Sequence, residues 1–403
     1  MRSVPALTLM LALSGATAAA SPAAAQAPSA AIRLPAEERS ALAALQAALE
    51  ARDYGTAASA LSAAQAAVHS DDGRAYLTTL QFRYARETNN TALQTSSIDA
   101  LIAGGRTSQT ELGQLYAMRG TLAVFAQDRV AAEKAFTRAL ELAPTPDTAL
   151  ALAQVKVDLG RNLEALPLID RAIQLRAATG QPVLESWYRR AIQIAVAGQQ
   201  RAQALRLLTT LVSAYPTPEN WRDAVYLYRD LAKPDAEGNA DALRLMRATK
   251  AFGGERDYLD AAQTFTSAGL PGEAKAIFAD GTAARMVDPM KATYKEAIAT
   301  ASRLAAGDRL KLPAYRAAAA RTGDAAVTAG DHFMSFGEYA PAADFYRAAL
   351  QKGVADADEA NLRLGMALAL AGRSGEAASA LHAVTGARAE LAALWLAWVA
   401  RPS

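Results

Sequence analysis

The chain has 403 residues, with 42 basic and 40 acidic side chains and a formal charge of +2. That near balance argues against a nucleic-acid binder, which shows a basic excess or stripe. The absence of cysteine excludes disulfides, thiolate metal sites, a cysteine nucleophile and a lipid-attachment cysteine. Hydrophobic residues make up 52%, much of it alanine, and aromatics only 6%, so the composition points to an all-helical protein with an interior of small side chains.

The chain opens MRSVPALTLMLALSGATAAASPAAAQAP. One charge, Arg2, precedes an apolar core from Val4 to Leu13, and small residues follow. This is the pattern of a secretory signal peptide, residues 1–25, cleaved after Ala25, although Ala20 also satisfies the small-x-small rule. The apolar core is shorter than the roughly 20 residues that cross a bilayer, and no later stretch is apolar for long enough. Residues 26–34 read as an Ala/Pro-rich linker. The pattern predicts an exported, periplasmic chain with no transmembrane span and no lipid anchor.

Beyond the linker one spacing recurs. A small residue is followed twelve positions later by a second, as in Gly120 and Ala132, Ala153 and Ala165, Ala262 and Ala274, Gly330 and Ala342, Gly365 and Ala377. Four residues after the second comes a large one: Leu61, Phe136, Ile169, Leu208, Phe278, Tyr346, Leu381. The second small residue marks copies at Ala57, Ala92, Ala132, Ala165, Ala204, Ala274, Ala342 and Ala377, with diverged copies near 240 and 308. Self-similarity at this period is the signature of a helical solenoid. The spacing predicts about ten antiparallel helix pairs, A and B. Gly330 and Ala342 would be small where two backbones approach, Tyr346 would fill the space toward the next pair, and Gly337 would end an A helix in the left-handed conformation. Pro144 and Pro216 would stop B helices, and Pro167 would bend or restart one. The polar stretch LAKPDAEGNA, 231–240, divides an N-terminal array, 35–232, from a C-terminal array, 241–403. Residues 300–321 stay helical and lose the repeat pattern.

These residues resemble the tetratricopeptide repeat family from about Pro35 to the C-terminus. The copies at Gly120 and Gly330 match best. The copy at Ala92 departs, with Ser96 and Asp99 in slots that want apolar residues, and the family's early Trp is missing throughout. The resemblance implies an all-α superhelix whose A helices line a concave groove for a protein segment. Laid on this chain, it places Gln114, Met118, Thr121, Phe125, Gln154, Asp158, Asp331, Met334, Arg363, Met366 and Leu370 in that groove. The carboxylate clamp of some members is not reproduced, since Ala117, Thr121 and Asp147 stand near the expected places.

No catalytic, cofactor or metal residue is assigned. His69, His332 and His382 lie too far apart in sequence for a ligand pattern. Nucleophile-elbow, phosphate-loop and dinucleotide glycine motifs do not occur. GLPGEAK, 269–275, falls on a turn, and DADE, 356–359, reads as the acidic start of a helix rather than a calcium loop. Three surface features remain. Aromatics around Trp187 and Trp221 form either core or a peptide or glycan platform. Arg303, Arg309, Lys311, Arg316 and Arg321 form either a solvated face or an anion strip for a polysaccharide or lipid head group. The final helix, with Trp395 and Trp398, either folds back or docks a partner or a second copy. The expected function is a non-enzymatic periplasmic scaffold for protein partners in envelope assembly, secretion or exopolysaccharide machinery. The alternatives are a carbohydrate-binding protein or enzyme at Trp187 and Trp221, and an array that self-assembles through the last helix.

Overall fold

The computed structural model describes residues 34–401; the expected signal peptide, residues 26–33 of the linker and the last two residues lie outside them. Among the described residues there are 21 α-helices, one short 3-10 turn and no strand. The helices form nine packed pairs, one couple within residues 292–319 whose members do not pack on each other, and a final single helix, the predicted solenoid class. They fall into two compact units, one ending at Gly105 and one beginning at Arg106.

The first unit contains α1 (Ala36–Glu50), α2 (Tyr54–Ala67), α3 (Asp71–Glu87) and α4 (Thr91–Ala103). Its core is Leu42, Leu45, Leu49, Leu61, Leu77 and Leu80 around Ala57 and Ala64. Asp53, Ser70 and Asn90 cap the starts of α2, α3 and α4 by accepting a backbone N–H three residues on. Here the sequence frame needs correction. Ala92 is exposed, and the fourth position of α4, where α2 has buried Ala57, is Gln94. Its side-chain amide donates to the Ala85 carbonyl at 3.1 Å. Four residues on, Ile98 is fully buried. A polar residue that satisfies its own hydrogen bond disguised the marker.

The second unit holds α5 (Gln109–Phe125), α6 (Arg129–Leu142), α7 (Pro146–Asp158), α8 (Asn162–Ala178), α9 (Glu185–Ala197), α10 (Arg201–Ala214), α11 (Pro218–Ala232) and α12 (Ala236–Ala248). It continues with α13 (Glu255–Ser267), α14 (Pro271–Ala283), α15 (Ala292–Arg309), α16 (Leu312–Ala319), α17 (Gly323–Ser335), α18 (Tyr339–Lys352), α19 (Ala357–Leu370), α20 (Ser374–His382) and α21 (Ala389–Val399). Ala132, Ala165, Ala204, Ala274, Ala342 and Ala377 are each the fourth residue of their helix and completely buried. The large residue one turn later explains the glycines differently from the sequence reading. A Cβ on Gly330 would lie 2.6 Å from the Tyr346 ring, one on Gly120 2.7 Å from Phe136, and one on Gly365 2.5 Å from Leu381. The large B-helix side chain thus packs onto the glycine of its own A helix.

Gly337 takes the expected positive φ of 75° after α17. Asp356 caps α19 by accepting from Glu359 N at 2.8 Å, as an acidic helix start should. α8 runs through Pro167 without a break. The stretch 231–240 lies inside the second unit: Ala232 ends α11, Lys233 turns the chain with φ of 47°, and Asp235 caps α12. Ala132→Leu or Ala342→Leu should overpack a helix crossing and cost about 1–3 kcal/mol, whereas Gln181→Ala in an exposed turn should cost under about 0.5 kcal/mol. Urea melts of the three variants test this; equal small losses would contradict the packing.

Within this unit the last helices return to the middle of the array. α21 packs on α20 and also on α10. Arg201 on α10 reaches Glu390 at 2.6 Å, and Arg388 reaches Asp235 at 3.5 Å. The C-terminal helix therefore folds back. Leu391, Leu394 and Trp395 are buried inside the chain, where the alternative reading had them docking a partner or a second copy.

Candidate functional site

Along α5, α7 and α9 the A-helix face is open. Gln114, Thr121, Gln154 and Asp158 are exposed, Met118 and Trp187 are half-buried, and Phe125 is 76% exposed. Between α7, α8 and α9 this face dips into a cleft of about 390 Å³. Leu150, Ala153, Ile169 and Ile194 make its apolar wall, and Gln154, Trp187 and Arg190 line it as well. Arg190 Nη2 donates to Gln154 Oε1 at 3.0 Å, and Gln154 Nε2 donates to Asp158 Oδ1 at 2.6 Å. The Arg176 guanidinium lies 5.9 Å from the Trp187 ring centroid. An indole, a guanidinium and an amide above an aliphatic wall suit a peptide, which offers apolar side chains together with backbone donors and acceptors.

On α11, α17 and α19 large side chains are packed inside the fold, which corrects the groove expected there. Trp221, which stands at the position of buried Tyr188 on α9, has no exposed surface, and the Arg401 guanidinium sits 5.7 Å from its ring centroid. The two tryptophans therefore do not form one platform. Met334 and Met366 are buried, packed in the core rather than facing a partner. Leu370 is half-buried at the edge of a second cleft of about 540 Å³, bordered by the Arg244–Glu273 and Arg247–Asp280 pairs. Trp395 is fully buried. Trp398 is half-buried beside a cleft of about 530 Å³ that Ser374 and Arg401 also line.

Asp331 and Arg363 are engaged in a buried charge network. Arg244 on α12 makes a two-pronged bond to Glu273 on α14, at 2.8 and 2.7 Å, and also bonds Asp241. Arg363 on α19 bonds Asp331 at 3.0 Å, Asp241 at 3.4 Å and Glu359. The Tyr346 hydroxyl donates to Asp331 Oδ1 at 2.6 Å. Burial raises the Asp331 carboxyl although Arg363 and Arg244 oppose it, and it pushes the Tyr346 phenol well up. Burial also lifts the Glu359 carboxyl to about 7, against the pull of Arg363. Each cation lies within hydrogen-bond reach of two or more carboxylates, so the network spends its donors inside the fold. Asp241, Arg244 and Glu273 escaped the sequence reading. The only local sign is an acid and a base three apart, Asp241 and Arg244, on a helix that also carries Glu237, Asn239 and Arg247.

No family model matches the chain, and no curated protein matches it. Solved structures do. A tetratricopeptide repeat protein from Parabacteroides merdae is 16% identical, covering 64% of this chain and 98% of its own, with a TM-score of 0.28. The C-terminal part of a TPR repeat-containing protein from Cytophaga hutchinsonii is 12% identical, covering 70% and 98%, with a TM-score of 0.31. The TPR2AB domain of yeast Sti1 is 12% identical, covering 72% and 95%, with a TM-score of 0.26. Superpositions this loose carry no residue of theirs onto this chain. The fold rests on the chain's own helix pairs and the small–large contact inside them: it is an α-solenoid of tetratricopeptide type.

Proposed function

We propose that the protein is a non-enzymatic scaffold of the cell envelope, carried to the periplasm by its N-terminal segment, that holds a segment of a partner protein along α5, α7 and α9. The observation that carries this reading is the contrast along one face. α5, α7 and α9 are open, with a cleft at Trp187, whereas Asp331, Met334, Arg363 and Met366 on α17 and α19 are engaged inside the fold. Buried aromatics with a nearby guanidinium are the usual anchors of protein interfaces, and Trp187 beside Arg190 offers that pairing. Solenoids present such extended faces because each pair contacts only its neighbours. A role in envelope assembly, secretion or exopolysaccharide export fits an exported scaffold.

Photo-crosslinking in intact cells tests the reading. A photoreactive residue at Gln154 or Phe125 should trap the same partner, and one at buried Met366 should trap none. Trp187→Ala should weaken that partner's binding about tenfold or more, as loss of an interface anchor does, with melting changed little. Equal trapping from all three positions, or unchanged affinity of the Trp187→Ala protein, would refute the groove.

A further inference from the structure

The repeat packing leaves out one corner of the second unit. α14 and α17 touch directly: a Cβ on Gly272 would lie 2.6 Å from the Ser335 carbonyl oxygen, and Glu273 N donates to Ser335 Oγ at 3.0 Å. α15 lies on α14 and α16 on α17, so these two helices are splayed rather than packed on each other. The chain turns between them at Leu310 and Lys311. Leu310 is 83% exposed at that tip, and Leu304 is exposed on the last turns of α15. Ala306, Gly307, Pro313 and Ala314 are exposed around them.

Charge surrounds this apolar tip. Residues 303–321 contain five cations, Arg303, Arg309, Lys311, Arg316 and Arg321, against a single acid, Asp308, so the corner is more positive than the whole chain. Asp308 is buried and engaged with the Tyr315 hydroxyl at 3.1 Å and His332 Nδ1 at 2.8 Å. Arg309 bonds Glu338 at 2.8 Å. Arg303, Lys311 and Arg321 are exposed and have no carboxylate partner among the described residues. Cations on a helix face are ordinary solvated groups. Leu310 adds what they lack, since it is the most exposed of the large hydrophobic side chains among the described residues. A hydrated polyanion would use the cations and gain nothing from the leucines. An anionic lipid surface uses both, the headgroups taking the cations and the acyl boundary the apolar tip.

The geometry points to the α15–α16 corner as a docking surface for an anionic phospholipid bilayer. The test is co-sedimentation of the full chain with vesicles of phosphatidylcholine containing about a quarter phosphatidylglycerol. Leu310→Ser and Lys311→Glu should each lower the partition coefficient about tenfold, with helix content and melting unchanged because both side chains are exposed. The N-terminal apolar segment is common to all three proteins and cancels in the comparison. Parent-like partitioning of either variant overturns the proposal. Dextran sulfate serves as the second probe. If Lys311→Glu weakens its binding while Leu310→Ser leaves vesicle partitioning unaltered, the corner is a polyanion site and the lipid assignment falls.

Discussion

Arg244→Met should destabilise the protein by about 3–5 kcal/mol, the cost of removing one partner from a buried ion pair. Arg244 is 3% exposed, and its partners Asp241 and Glu273 are 0% and 3% exposed. Without the guanidinium, Glu273 loses both prongs of its bond while remaining almost wholly buried. Asp241 keeps only Arg363, at 3.4 Å, and its Oδ2 already has no partner. The loss therefore comes from orphaned carboxylates rather than from missing contacts of the methionine, which roughly fills the same space. That account makes a second prediction within the same experiment. Arg244→Met combined with Glu273→Leu should be markedly more stable than Arg244→Met alone, because a buried pair replaced by apolar residues is often nearly neutral. Guanidinium melts of the parent, single and double variants decide it. A double variant as unstable as the single, or a single variant that melts like the parent, contradicts the assignment.

The charge network also marks where legibility ends. Pair number, helix type and the small–large rule could be read from sequence because they are local. A glycine sixteen positions from its large partner meets it through one turn, and alanine at the fourth position of a B helix is dictated by the helix beside it. The exceptions were local disguises, such as Gln94 in the marker slot and Asn239, which accepts from Arg229 at 2.7 Å. The return of α21 to α10 and the meeting of Arg363 with Asp241, 122 residues away, depend on curvature summed over many pairs. No short stretch encodes that sum. Asp331, Met334, Arg363 and Met366 occupy A-helix positions that an open superhelix would present to a partner; here Met334, Arg363 and Met366 are buried and Asp331 is held by Arg363 and Tyr346. Thr121 and Gln154 occupy the same position on α5 and α7, one residue after the small residue, and stay exposed.

Trp395→Ala should cost about 3–5 kcal/mol, the usual loss for truncating a fully buried aromatic, and the location of the damage is more informative than its size. Trp395 packs edge-on to Trp398 with ring centroids 5.4 Å apart. Arg401 spans Trp398 and Trp221, at 5.4 and 5.7 Å. In an open solenoid a defect in the last helix is felt by its sequence neighbours, α19 and α20, and fades from there. Here α21 is also a neighbour of α10, so its loosening must reach the middle of the chain. Amide hydrogen exchange should accelerate in α21, in α10 and around Trp221 on α11, while α5 to α8 keep the parent rates. Indole fluorescence should shift to the red as Trp221 meets water. Acceleration confined to α19–α21 would mean that the return contact contributes little.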